Sequence, residues 1–166
     1  MRRYKDEEFR QIIKPILDNS NFEETKSVIH HGITRYDHSM RVAYFSYIIT
    51  KFLRLDYKET TEAALLHDFF TEEVKDKNQV ARLRQHPTYA VENAKKYFDL
   101  SEKQEDIIKT HMFPITFTPP KYLESWIVDL VDDVSAIYEQ ATTTSKKLKT
   151  SFVVLIILTL NFIKMR

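Results

Sequence analysis

A chain of 166 residues, 43% hydrophobic and 30% charged, has the length and balance of one globular domain, and its formal net charge of +1 argues against a general polyanion binder, so no nucleic-acid partner is expected. The absence of cysteine excludes a disulfide scaffold and thiolate metal sites, and it fits a reducing, cytoplasmic setting. A single glycine, Gly32, leaves no material for phosphate-cradling loops or dinucleotide turns, which excludes P-loop and Rossmann enzymes.

The stretch MRRYKDEEFRQIIK is charged throughout and lacks the apolar core of a secretory signal. Helical periodicity then dominates. Residues 5–18 form an amphipathic helix through Phe9, Ile12, Ile13, Ile16 and Leu17, and Asn21 with Glu24 reads as a capping box opening the next. After Gly32 a longer helix is expected over 36–55, with Val42, Phe45, Ile49 and Phe52 on one stripe and His38 on the same side. Residues 58–68 make a short helix that turns Ala63, Ala64 and His67 one way. Pro87 marks a start for a helix over 87–98. Ser101 and Gln104 form a capping box for a helix reaching His111. FPITFTPP breaks the chain before a helix over 120–140. The expectation is an all-α fold, a compact helical bundle over 1–145.

Residues 146–166 differ. SFVVLIILTLNFI (151–163) is apolar on every face, with Lys146, Lys147 and Lys149 before it and Lys164 and Arg166 after. As a helix it would cover roughly 20 Å, short of the ~30 Å hydrocarbon core. It reads as a buried hydrophobic C-terminal helix or a homo-oligomer contact, with membrane association as the alternative.

The histidines raise the chemical question. HDFF ends an apolar run with adjacent imidazole and carboxylate, and a buried unpaired charge costs several kcal/mol, so a cation, an ion-pair partner or a wet helix end is required. His38, His67 with Asp68, His86 and His111 each fall on the inner face or inner end of a helix, and Asp129, Asp132 and Asp133 interrupt an otherwise apolar one. Imidazole and carboxylate without thiolate suit Mn, Fe, Zn, Ni or Mg. His67 and Asp68 point about 100° apart on a helix, so they can share an ion only where it ends. His30 and His31, near Gly32, read as solvated or supporting side chains. Periodicity does not choose among the three aspartates, because Val128 and Val131 give one apolar face and Trp126 and Leu130 another.

YDHSMRVAYFS, AALLHDFF and LVDDVSAIYE supply His…His-Asp…Asp in order, and in this the chain resembles the HD-domain superfamily of metal-dependent phosphohydrolases over about residues 30–140. RQHPTYAVENA and IIKTHMFPIT add the two histidines of its binuclear members. The resemblance implies two divalent ions: His38, His67, Asp68 and Asp132 on one, His86 and His111 on the other, with Asp68 bridging and partnering the nucleophile as the catalytic residue. Asp132 is chosen by alignment with the family's final aspartate, and Asp133 then stands where a basic residue is usual. Arg41, one turn after His38, can donate to a substrate phosphate, with a structural ion pair as the alternative.

The Gly-Lys that follows His-Asp in phosphodiesterase branches is missing, with FFTEEVK in its place, so their substrates are not carried over. The reaction implied is hydrolysis of a phosphate ester, of a nucleotide or another small molecule, by a metal-activated hydroxide. A di-iron oxygenase on the same fold and a catalytically silent nucleotide-binding or interaction module are the alternatives.

Overall fold

The computed structural model describes residues 4–30, 33–70 and 78–144. Seven α-helices occupy most of them. The predicted segment 151–163 lies outside the described residues.

Helix α1 (Glu7–Leu17) begins where the Asp6 carboxylate accepts from Phe9 N at 3.1 Å, and it buries Phe9, Ile13 and Ile16. Helix α2 (Ser20–Glu23) leads into a 3-10 turn over Glu24–Ser27. Its cap is Asn19, whose side chain accepts from Asn21 N at 2.9 Å; this local bond displaces the expected Asn21 box. A pair of two-residue strands, β1 (Ile29–His30) and β2 (Ile33–Thr34), is the one addition to the predicted all-α architecture among the described residues. Its antiparallel register sets Ile29 opposite Thr34 and delivers the chain to α3.

Helix α3 (Arg35–Phe52) is capped by Thr34, which accepts from Asp37 N at 3.0 Å. It stops in a Schellman motif: Arg54, at φ 57°, takes the left-handed position usually given to glycine, while Leu55 N donates to Thr50 O at 2.9 Å and Arg54 N to Lys51 O at 3.1 Å. Its predicted stripe is corrected in part. Val42 is buried, Phe45 and Ile49 are half-buried and Phe52 is exposed, while Ala43, Ser46, Tyr47 and Thr50 are enclosed. The cause is packing on two sides, against α4 (Tyr57–Leu66) and α7 (Leu123–Thr144), which leaves room for small side chains and lets Thr50 Oγ1 bond Ser46 O at 2.6 Å.

Helix α5 runs Gln79–Lys95 from an Asn78 cap, so Pro87 lies inside it instead of starting it. Proline there loses the bond to the Leu83 carbonyl and crowds that carbonyl with its ring, a cost borne within a helix held by its neighbours. Helix α6 (Glu102–Thr110) has the predicted Ser101–Gln104 capping box. Asp106 Oδ2 accepts from Lys121 N at 3.0 Å and Ser125 Oγ at 2.7 Å, which pins the entry to α7. Helix α4 packs on α6, α6 on α5 and α7, and α1 on α4, around a core that includes Phe9, Phe22, Leu65, Leu66, Phe69, Ile107 and Ile108. Among the described residues, no helix is long and apolar enough to cross a membrane.

Candidate metal centre

Helix α4 ends at Leu66, and His67 and Asp68 form the turn that follows. That is the geometry under which adjacent imidazole and carboxylate serve one place. The turn is held from outside: Asn93 Nδ2 donates to Phe69 O at 3.0 Å and Arg35 Nη1 to Phe70 O. Phe69 packs among Phe22, Tyr97 and Phe98 and is fully buried.

Three histidines commit Nδ1 to a backbone carbonyl: His67 to Ala64 O at 2.7 Å, His111 to Ile108 O at 2.7 Å and His86 to Arg82 O at 3.3 Å. A carbonyl only accepts, so each Nδ1 carries the hydrogen, and in the neutral ring each Nε2 keeps its lone pair. All three Nε2 atoms face Asp68. His67 lies 3.9 Å from Oδ2, and His86 and His111 lie 3.5 and 3.9 Å from Oδ1. His67 Nε2 is buried without a hydrogen bond, and it stands 3.5 Å from Asp132 Oδ1. His86 and His111 bring two acceptor nitrogens within 2.9 Å of each other. An orphaned buried nitrogen and two facing lone pairs are what a cation would satisfy.

His38 completes the arrangement from α3. Its Nδ1 donates to Glu139 Oε2 at 2.9 Å, and Nε2 meets Asp132 Oδ1 at 2.8 Å. One carboxylate orients the ring and the other shares its coordinating nitrogen, the pattern by which metal-ligating histidines are fixed. Ligand atoms fall into three groups within 4.8 Å: His38, His67, Asp68; His67, His111, Asp132; and Asp68, His86, His111. All six residues singled out as ligands are therefore drawn together. The donor set, nitrogen and carboxylate oxygen only, fits borderline or hard divalent ions.

The proton equilibria describe the same imbalance. Burial opposes charge on His38, yet hydrogen bonds to Asp132 and Glu139 raise it to about 10. Burial also opposes charge on His67, and Asp132 and Asp68 raise it nonetheless. On the other side burial lowers His86, while burial and the neighbouring imidazoles of His67 and His86 push His111 down to about 3. Asp132, though buried, lies well below the usual carboxylate range because His67 and His38 face it.

The other aspartates of α7 stand apart from these groups. Asp133 is exposed. Asp129 is buried, and its Oδ1 accepts from Phe113 N at 3.2 Å, so it anchors the loop after α6. Arg41 is buried and its guanidinium pairs with Glu139 while lying over the Tyr138 ring at 5.3 Å. The arginine brought to the centre is Arg35, with Nε 3.8 Å from Asp68 Oδ2 and its guanidinium carbon 3.7 Å above the Phe70 ring. Sequence reasoning missed Arg35 and Glu139. Glu139 could have been found at helical spacing, seven residues or two turns after Asp132. His30 enters the β-pair by its backbone, and His31 lies outside the described residues.

A family model for the HD domain matches residues 35–137, more than half of the chain. The chain belongs to the HD domain family. Membership places this HD protein in a superfamily of metal-dependent phosphohydrolases, and His38, His67, Asp68, His86, His111 and Asp132 all lie within the matched span. No curated protein and no solved structure matches it.

Proposed function

We propose that this HD protein is a divalent-metal-dependent hydrolase of phosphate esters, acting on a nucleotide or another small phosphorylated molecule. The observation that carries the reading is the convergence of four imidazoles on Asp68 and Asp132, with lone pairs on His67, His86 and His111 turned inward and protons turned out to carbonyls. His38, His67, Asp68 and Asp132 would hold one ion and Asp68, His86 and His111 a second. Bound divalent cations supply the positive charge that acidifies water and polarises a phosphoryl oxygen.

The chain's own residues do the rest. Asp68 turns one oxygen toward His67 and the other toward His86 and His111, so it can bridge the two halves and accept a hydrogen bond from the attacking water. Arg35, spread over Phe70, presents a fixed planar donor set beside that carboxylate for a non-bridging phosphate oxygen. Glu139 keeps His38 turned toward Asp132. Elemental analysis of the purified protein, followed by phosphate release from a broad ester panel with Mn, Fe, Zn, Ni or Mg, tests the proposal. Activity is expected with added metal and absent in His67→Ala. An inert panel with all five ions sinks the assignment.

A further inference from the structure

Two residues after Asp68, in the turn that follows α4, stands a large side chain that offers no ligand atom. Phe70 is 8% exposed, and its N donates to Asp68 O at 2.8 Å, so the ring and the carboxylate belong to one turn. The two grip the same partners. Arg35 sets its guanidinium carbon 3.7 Å over the Phe70 ring and its Nε 3.8 Å from Asp68 Oδ2. His86 sets its ring centroid 5.6 Å from that of Phe70, at an interplanar angle of 32°, and its Nε2 3.5 Å from Asp68 Oδ1. Arg35, Phe70, His86 and Asp68 thus close a circuit of side chains drawn from α3, the turn and α5.

Both partners need what the ring supplies. A guanidinium lying flat on an aromatic face is attracted to it and keeps the donors of its edge in one plane. Arg35 Nη1 also donates to Phe70 O, so one residue sets both the tilt and the rotation of that plane. His86 is the least firmly held of the centre's histidines. Its Nδ1 bond, to Arg82 O, is 3.3 Å long, against 2.7 Å for His67 and His111. Its side chain is 12% exposed, whereas those two are fully buried. A ring packed beside it adds the constraint that a long hydrogen bond leaves out.

We propose that Phe70 is a positioning residue for both functions of the centre, holding Arg35 flat for a phosphate oxygen and His86 in place for the second ion. The inference rests on the two-ion, phosphate-ester reading above. His38 and His67 take their orientation from Glu139 and the Ala64 carbonyl, so the first ion does not depend on the ring. Phe70 therefore couples the anion-binding edge to the occupancy of one ion and not the other.

Phe70→Leu keeps an apolar filler and removes the ring, and Phe70→Tyr restores it. In the full chain loaded with Mn and desalted, elemental analysis counts the ions. With Mn in excess, so that both halves are filled, calorimetric titration with inorganic phosphate reads the arginine edge. Phe70→Leu is expected to hold one Mn where the unaltered chain holds two, its affinity for the second falling about 10–100-fold. It should also bind phosphate about tenfold more weakly, and Phe70→Tyr should recover both properties. Arg35→Lys keeps a charge that cannot lie as a flat fork and removes no core ring, so it should weaken phosphate by a similar factor with both ions retained. Two ions and unaltered phosphate affinity in Phe70→Leu would reduce the ring to filler and overturn the proposal. Either loss without the other overturns it as well, and so does a Phe70→Tyr variant that recovers neither. Unchanged phosphate affinity in Arg35→Lys overturns it even where Phe70→Leu does not fold. The ester panel fails separately: an inert panel with these losses present removes the hydrolase reading and leaves the role of Phe70. Turnover by Phe70→Leu equal to that of the unaltered chain removes the role and leaves the reading.

Discussion

Replacing Glu139 by glutamine asks whether one carboxylate both ties α3 to α7 and orients the centre. The Glu139 side chain is 1% exposed and that of its partner Arg41 is 10% exposed, so water cannot replace what is lost. Removing one member of a buried pair costs about 3–5 kcal/mol. Glutamine keeps the shape and one acceptor, which places the expected loss near the lower end. The same change weakens the bond that holds His38 Nδ1, and loss of such a supporting carboxylate reduces metal affinity by about 10–100-fold. Urea unfolding of metal-free protein measures the first effect and calorimetric titration with Mn the second. A variant that unfolds at the wild-type urea concentration and binds Mn as tightly refutes the reasoning, because Glu139 would then be neither strut nor orienter. A loss of stability alone would separate the two roles.

Arg41→Met should lower stability by about 3–5 kcal/mol, since it removes the cation of a buried pair with Glu139, while the KM for any ester substrate stays near wild type; a large rise in KM would restore Arg41 as a substrate contact. His86→Ala should reduce the bound metal by one ion and leave the His38 side loaded, as read by elemental analysis, whereas loss of all metal would mean that the halves bind as a unit. Asp129 is pushed up to about 7 by burial and by Asp133 and Asp132, so the folded state holds a proton that the unfolded chain releases near 4. Its contribution is fully present below the unfolded value and disappears as pH rises through about 7. Asp129→Asn should therefore stabilise metal-free protein at pH 8 and change little at pH 4, as thermal unfolding at the two pH values can check; equal effects at both would remove Asp129 from the account.

Much of the site was legible because its residues sit in local patterns with fixed spacing. Adjacent His67 and Asp68 can share one place only where a helix ends, and α4, expected to reach residue 68, does end at Leu66. Choosing Asp132 needed the family's pattern, because the three aspartates and two apolar faces of α7 leave periodicity ambiguous; in the fold Val128 and Val131 pack inward, Trp126 and Leu130 stay outside, and Asp132 faces His38 and His67. Arg35 and Glu139 escaped because their significance is tertiary. An arginine at a helix start and a glutamate near a helix end look like surface charges until β1–β2 and α7 bring them to Asp68 and His38. Pro87 misled for a related reason: the rule that proline opens helices describes the first turn, while neighbours can support a proline farther in.

The two ring nitrogens of His38 are claimed by residues seven apart on the same opposing helix, Asp132 and Glu139. Two turns of α7 thus clamp a single side chain top and bottom, and neither sliding nor rolling of that helix can relieve one contact without disturbing the other. Interhelical alignment and the setting of the His38 ring become one coupled quantity, so a substitution far along α7 that shifts it by a fraction of a turn would be felt first at this side chain.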